Sequence, residues 1–215
     1  MEYLEYERIL SAKRMQRYKD AADGDTRKAM ALYRYNLRLS QEMFTIVSCF
    51  EVALRNAIDS LLVPSLGGNW LKDSVQDNGI FSNGRMNETR KIIEKAYNRL
   101  NRQGIYSHSK LIAEMEFGVW KYMYSSLQYR ATGQCLLRVF PNKPRSSAAV
   151  QYNNAYIFNE LDKVNSLRNR IAHHEPICFR LHASEIDTSY IVNEYQKIQT
   201  LFSWMGIDSR SMLYG

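Results

Sequence analysis

The sequence predicts an all-α protein. Only four prolines and ten glycines interrupt its 215 residues, a scarcity that favours long helices over short strands joined by tight turns. Apolar residues recur at steps of three and four over several stretches, which places them on one face of a helix. Short cap and turn signals separate those stretches.

Taken in order, residues from about Leu4 to Asp20 mix charged and aromatic side chains and read as one amphipathic first helix. Asp23-Gly24-Asp25-Thr26 reads as a break followed by a cap. A long helix follows from about Arg27 to Leu62, with Leu39, Met43, Ile46, Phe50, Ala53, Ala57 and Leu61 on one face, ended by Pro64 and Gly67-Gly68. Residues Lys72 to Gly84 carry two turn signals, Asp77-Asn78-Gly79 and Ser82-Asn83-Gly84, and read as an inserted surface loop.

Helix resumes near Asn87 and runs to about Arg102, closed by Gln103-Gly104. Another is expected over roughly Ser109 to Tyr129, carrying Leu111, Met115, Trp120 and Met123 or Tyr124. Phe140-Pro141-Asn142-Lys143-Pro144-Arg145 is a rigid, basic connector. The next helix starts near Ser147 and buries Ile157, Leu161, Val164, Leu167 and Ile171; it must stop before Pro176, because proline disfavours helical geometry in the residue before it. A last helix spans about Ser184 to Met205, closed by Gly206. The expected architecture is a helical bundle with a surface loop insertion, in one domain.

Apolar residues make up 45% of the chain and charged residues 24%, ordinary values for a soluble globular protein. No stretch approaches 18 consecutive apolar residues, and the N-terminus lacks a basic-then-apolar leader, so the expectation is a cytoplasmic protein without a membrane span. Cys49, Cys135 and Cys178 lie far apart and form no CxxC pair, which suggests neither a disulfide framework nor a thiolate zinc site. The balance of 29 basic against 22 acidic residues, +7 overall, suits a polyanion such as RNA; it equally fits a soluble protein that is merely basic.

Chemistry concentrates in Leu167-Arg168-Asn169-Arg170-Ile171-Ala172-His173-His174-Glu175-Pro176. Two of the chain's four histidines are adjacent here. At about 100° per residue Asn169 and His173 share a face, as do Arg170 and His174, while Arg168 sits at the margin of the apolar stripe. Histidine near neutral pH can act as acid or base, and an arginine fork suits charge developing on a phosphate. Those groups match RNA cleavage through the 2′-hydroxyl. Capping of the helix C-terminus, with the arginines paired to Glu175 or Glu160, explains the same residues as well. Metal binding is a weaker reading, because adjacent histidines point in different directions and no third ligand has helical spacing.

Glu51 and Arg55, four apart with Asn56 beside them, interrupt an apolar helix. They read first as a buried polar network holding helices in register, and second as another polar wall of an RNA cleft facing Arg168. Phe117-Gly118-Val119-Trp120 reads as a close packing point, where Gly118 admits a neighbour and Trp120 fills the core. The fifteen tyrosines include candidates for base stacking, although most are expected in the core or at interfaces.

Arg168, four residues, then His173, with Asn169 directly after the arginine, resembles the signature of the HEPN superfamily of helical ribonuclease and nucleotide-binding domains. The wider string at 167–176 resembles more narrowly the Abi-like family, the abortive-infection proteins of bacteria. Tyr35-Asn36-Leu37-Arg38-Leu39-Ser40, Phe50-Glu51-Val52-Ala53-Leu54-Arg55-Asn56, Gly68-Asn69-Trp70, His108-Ser109-Lys110-Leu111-Ile112-Ala113 and Phe117-Gly118-Val119-Trp120 match in the same order. The resemblance covers about residues 35 to 180.

It implies an HEPN-like helical bundle with additional helices, a homodimer that brings two motifs together, and metal-independent RNA cleavage without a cofactor. It also implies phage defence or toxin–antitoxin biology, with RNA as partner and a protein or small-RNA antitoxin as a further one. Arg168 and His173 become the catalytic pair and Asn169 a positioning residue. His174 is a second choice for the histidine, and Arg170 and Glu175 are accessory. Some members of the superfamily bind without cutting, so a non-catalytic RNA- or nucleotide-binding module is the alternative.

Overall fold

The computed structural model describes residues 2–214, and among them the chain is all-α, with helices α1 (Tyr3–Leu10), α2 (Ala12–Asp20), α3 (Thr26–Leu66), α4 (Trp70–Asp73), α5 (Asn87–Arg102), α6 (His108–Glu114), α7 (Phe117–Tyr122), α8 (Ser126–Ala131), α9 (Asn154–Ala172), α10 (Ser189–Trp204) and α11 (Ser209–Tyr214). Two compact units share these elements. One comprises residues 1–48 and 166–199, the other residues 49–165 and 200–215.

Local chemistry sets many of the helix ends. Asp25 caps α3, its Oδ1 accepting from the backbone N–H groups of Arg27 at 2.9 Å and Lys28 at 3.0 Å. Helix α5 runs over the expected residues and closes where Gly104 takes φ 68°, with Ile105 N–H donating to Leu100 O. Within α9 the expected stripe is buried, with Ile157, Leu161, Val164 and Leu167 at 0% exposure and Ile171 at 8%.

The structure corrects the path elsewhere. The first helix is two, because Ser11 takes φ 75° and caps α2 through Arg14 N–H. Helix α3 runs past Pro64 to Leu66 and stops at Gly67, whose φ is 90°. Proline lacks one hydrogen-bond donor, and in this last turn the helix continues through it. The apolar face of α3 also shifts phase. Beyond Phe50 the fully buried residues are Leu54, Ile58 and Leu62 rather than Ala53, Ala57 and Leu61, since the larger side chains remove more apolar surface from water.

The helix expected over 109–129 is three, α6 to α8. Met115, in extended backbone, and Glu116, the extended N-cap of α7, make the first break. Leu111, Met115, Trp120, Met123 and Tyr124 are nonetheless all buried. The helix expected from Ser147 starts at Asn154, with Asn153 Oδ1 accepting from Tyr156 N–H. The last begins at Ser189 rather than Ser184, behind a loop in which Phe179 and Ile186 form an isolated antiparallel bridge.

Two smaller features follow from the turn residues. The 72–84 segment bends at its Asn-Gly signal, with Asn78 at φ 65°, but Val75 and Phe81 anchor it in the core at 0% exposure. Gly79 lies so close to the Asp73 and Ser74 carbonyls that a Cβ would stand 2.4 Å from either oxygen. In the connector, Asn142 N–H donates to Trp204 O at 3.0 Å and its Nδ2 to Ser203 O at 3.3 Å. All three cysteines are free, and no helix is long and apolar enough to cross a membrane among the described residues.

Candidate functional site

The polar cluster occupies the end of α9, within the unit of residues 1–48 and 166–199. The helix closes in a Schellman motif. His174 N–H donates to Ile171 O and Glu175 N–H to Arg170 O, both at 2.9 Å, and His174 itself takes the left-handed φ of 55°. Glycine is the usual residue at that position because an L side chain is disfavoured there. Two peptide groups are satisfied at the cost of a strained histidine.

Arg170 and Glu175 serve the same closure. Arg170 Nε donates to Glu175 Oε2 at 3.3 Å and Nη2 to Pro176 O at 3.1 Å, while the guanidinium lies 5.1 Å from the centre of the Tyr190 ring. Glu160 pairs with Lys163 instead, at 2.6 Å. Both accessory residues are therefore engaged in loop structure. From α2, Arg14 Nη1 donates to His174 O at 2.8 Å. Arg17 donates to the carbonyls of Ala183 at 2.9 Å and Arg180 at 2.8 Å, with its guanidinium over the Phe179 ring at 4.8 Å.

Asn36 completes the frame. It is 3% exposed in the middle of α3, and its Oδ1 accepts from the backbone N–H groups of Ile177 at 2.8 Å and Cys178 at 3.2 Å. The sequence marked Asn36 as part of a matching stretch and assigned it no task; Arg14 and Arg17 drew no notice. One signal was present. Asparagine is a poor helix former, so an asparagine flanked by apolar residues inside a long helix is a candidate for a tertiary hydrogen bond through its amide. Beside it Cys178 is buried, and burial pushes its thiol up to about 11.

The His174 imidazole makes no hydrogen bond or ion pair among the described residues, and three further side chains are uncommitted as well. Asn169 and His173 are exposed and Arg168 is half-buried. No hydrogen bond or ion pair engages any of the three side chains among the described residues. Asn169 and His173 lie a helical turn apart on one face, and the next residue back, Arg168, lies about 100° round the helix. The group offers a titratable imidazole, a carboxamide and a fixed positive charge to a ligand approaching the end of α9.

Glu51, Arg55 and Asn56 lie in the other compact unit. Glu51 and Arg55 are half-buried and Asn56 is exposed, and Arg55 Nε is buried without a hydrogen-bond partner. Trp120 is buried as expected, but a Cβ on Gly118 would meet no atom within 4 Å. Gly118 therefore borders open space and is not a close packing point. Among the described residues no three His, Cys, Asp or Glu side chains are grouped to hold a metal ion.

Comparison with curated proteins and with solved structures gave no match. The model of one family, described as Abi-like protein, matches residues 2–178. That span takes in α2, whose Arg14 and Arg17 hold the loop after α9, and ends at Cys178, where Asn36 pins it. On a match over most of its length, this chain belongs to the Abi-like family, which points to abortive infection and defence against phage.

Proposed function

We propose that the protein is a metal-independent endoribonuclease of the HEPN type, cutting RNA at the end of α9 during phage defence or as the toxin of a toxin–antitoxin pair. One observation carries this reading. Of the polar residues from 168 to 175, Arg170 and Glu175 are spent on closing the helix and His174 contributes only its backbone there, whereas the side chains of Arg168, Asn169, His173 and His174 are left for a ligand. A cluster serving only as a helix cap would engage those side chains as well, and we take His173, on the face of Asn169, as the reacting histidine with His174 as the alternative.

In the proposed reaction a base takes the proton of the 2′-hydroxyl, the freed oxygen attacks the adjacent phosphorus, and the 5′-oxygen leaves with a proton from an acid. The products are a 2′,3′-cyclic phosphate and a 5′-hydroxyl. His173 exchanges the proton, Arg168 neutralises charge on the phosphorane, and Asn169 orients the phosphate. One imidazole performs one proton transfer at a time, so a second copy of the motif in a homodimer supplies the other. A protein or small-RNA antitoxin would hold such an activity in check.

The test is cleavage of a labelled RNA in EDTA, with its ends identified. Cyclic-phosphate products are expected, with loss of at least a hundredfold in rate for Arg168→Ala or His173→Ala, in keeping with typical acid–base contributions of about 10²–10⁴. Cleavage persisting in both variants refutes the site. A substrate with a single 2′-deoxy nucleotide at the cut position should remain whole.

A further inference from the structure

The unit of residues 49–165 and 200–215 contains a cleft of about 700 Å³ along one face of α5. Its basic wall carries Arg85, Lys95 and Arg102, all exposed and none in an ion pair among the described residues. Glu88 and Arg99 also line it, but Glu88 pairs with Lys91 and Arg99 with Glu114. Glu116 is the one acid of the lining without an ion pair among the described residues, which leaves an uncompensated positive excess. The cations do not converge. Lys95 and Arg102 are seven residues, or about 10 Å, apart along α5, and Arg85 precedes its start.

The cleft also presents apolar surface. Met86 and Val119 are buried in its lining, whereas Ile92 and Tyr122 are each 48% exposed. Open space stands above Gly118, where a Cβ would touch nothing within 4 Å. The Tyr122 ring is held against Phe158 with centroids 5.7 Å apart at 63°. A row of separated cations beside exposed apolar and aromatic side chains is what a flexible polyanion with flat, unpaired bases requires. A compact anion would need converging cations, and a duplex would keep its bases stacked away from the apolar floor. This unit also holds most of the net charge, with 16 basic against 11 acidic residues, +5 of the +7 for the chain.

The geometry points to the α5 cleft as a binding site for single-stranded RNA, with Arg85, Lys95 and Arg102 on phosphates and Tyr122 stacked on a base. It rests on the reading of RNA as the ligand but not on cleavage. The full-length chain carrying His173→Ala is titrated with fluorescein-labelled oligouridine, oligothymidine and an RNA duplex by anisotropy at several salt concentrations. Arg85→Ser, Lys95→Ser and Arg102→Ser together are expected to weaken oligouridine binding at least tenfold and to flatten the log–log salt slope by about two, at about 0.7 per phosphate. A control of equal charge, Arg130→Ser with Arg138→Ser and Arg145→Ser, should change it less than threefold. Tyr122→Ala should weaken it about tenfold and Tyr122→Phe should not.

Equal losses in the two triple variants overturn the site in favour of bulk charge. Duplex binding as tight as single-strand binding, or no effect of Tyr122→Ala, overturns stacking and with it the assignment. Tighter binding of oligothymidine overturns RNA as occupant, and displacement by an oligoglutamate peptide at matched charge assigns the cleft to an acidic protein instead. If the wild-type chain cuts no RNA while these binding results hold, the ribonuclease reading fails and the cleft stands.

Discussion

Replacing His174 with glycine should stabilise the protein. His174 is at φ 55° in the Schellman closure of α9, and neither its N–H bond to Ile171 O nor the bond its carbonyl accepts from Arg14 uses the side chain. A left-handed conformation costs a residue with a Cβ roughly 1–2 kcal/mol, with histidine among the better tolerated. Glycine relieves that cost but adds freedom to the unfolded chain worth about 0.5–1 kcal/mol. The balance is a gain of about 0.5–1 kcal/mol, or a rise in Tm of about 1–4 °C for a chain of this size. His174→Ala is the control, because alanine keeps the Cβ and the strain. Urea unfolding of the three proteins, read at constant m-value, measures the difference. His174→Gly equal to or below His174→Ala in stability refutes the strain assignment. The same variants separate the two histidines functionally, since a site built on His173 keeps cleaving RNA when His174 becomes glycine.

Asn36→Ala should destabilise by about 2–4 kcal/mol, because it leaves the Ile177 and Cys178 N–H groups buried without an acceptor; a loss under 1 kcal/mol in urea unfolding would contradict the pinning of the loop. Gly79→Ala should cost about 1–3 kcal/mol, since its Cβ meets the backbone carbonyls of Asp73 and Ser74 rather than a movable side chain; a neutral change in Tm would contradict that close approach. Cys178 should label with a thiol reagent far more slowly at pH 8 than Cys49 or Cys135. Burial raises its pKa to about 11, so its reactive thiolate is scarce until the pH approaches that value, and rapid labelling of all three in the folded protein would contradict its burial.

Where one residue does both the local chemistry and the structural job, the sequence was legible. Asp25 accepts from the first N–H groups of α3, Gly104 closes α5, and the stripe from Ile157 to Ile171 packs as its spacing requires. Periodicity also picked the buried residues from Leu111 to Tyr124 while mistaking three helices for one. Apolar spacing reports which side chains seek the core, and a break such as Met115-Glu116 can keep them there while turning the backbone.

By itself the sequence determined the helical class, the buried stripe of α9, and the crowding of arginine and histidine beside Pro176. Local steps of three and four residues and the cap residues contain that information. Which members of the crowd are free was decided by the tertiary structure. The contacts that frame the end of α9 join Arg14 to His174 and Asn36 to Ile177, pairs 160 and 141 positions apart in the chain. No local pattern reaches that far. The fold brings α2 and α3 to the loop after α9, holds the backbone there, and leaves the side chains of Arg168, Asn169, His173 and His174 uncommitted.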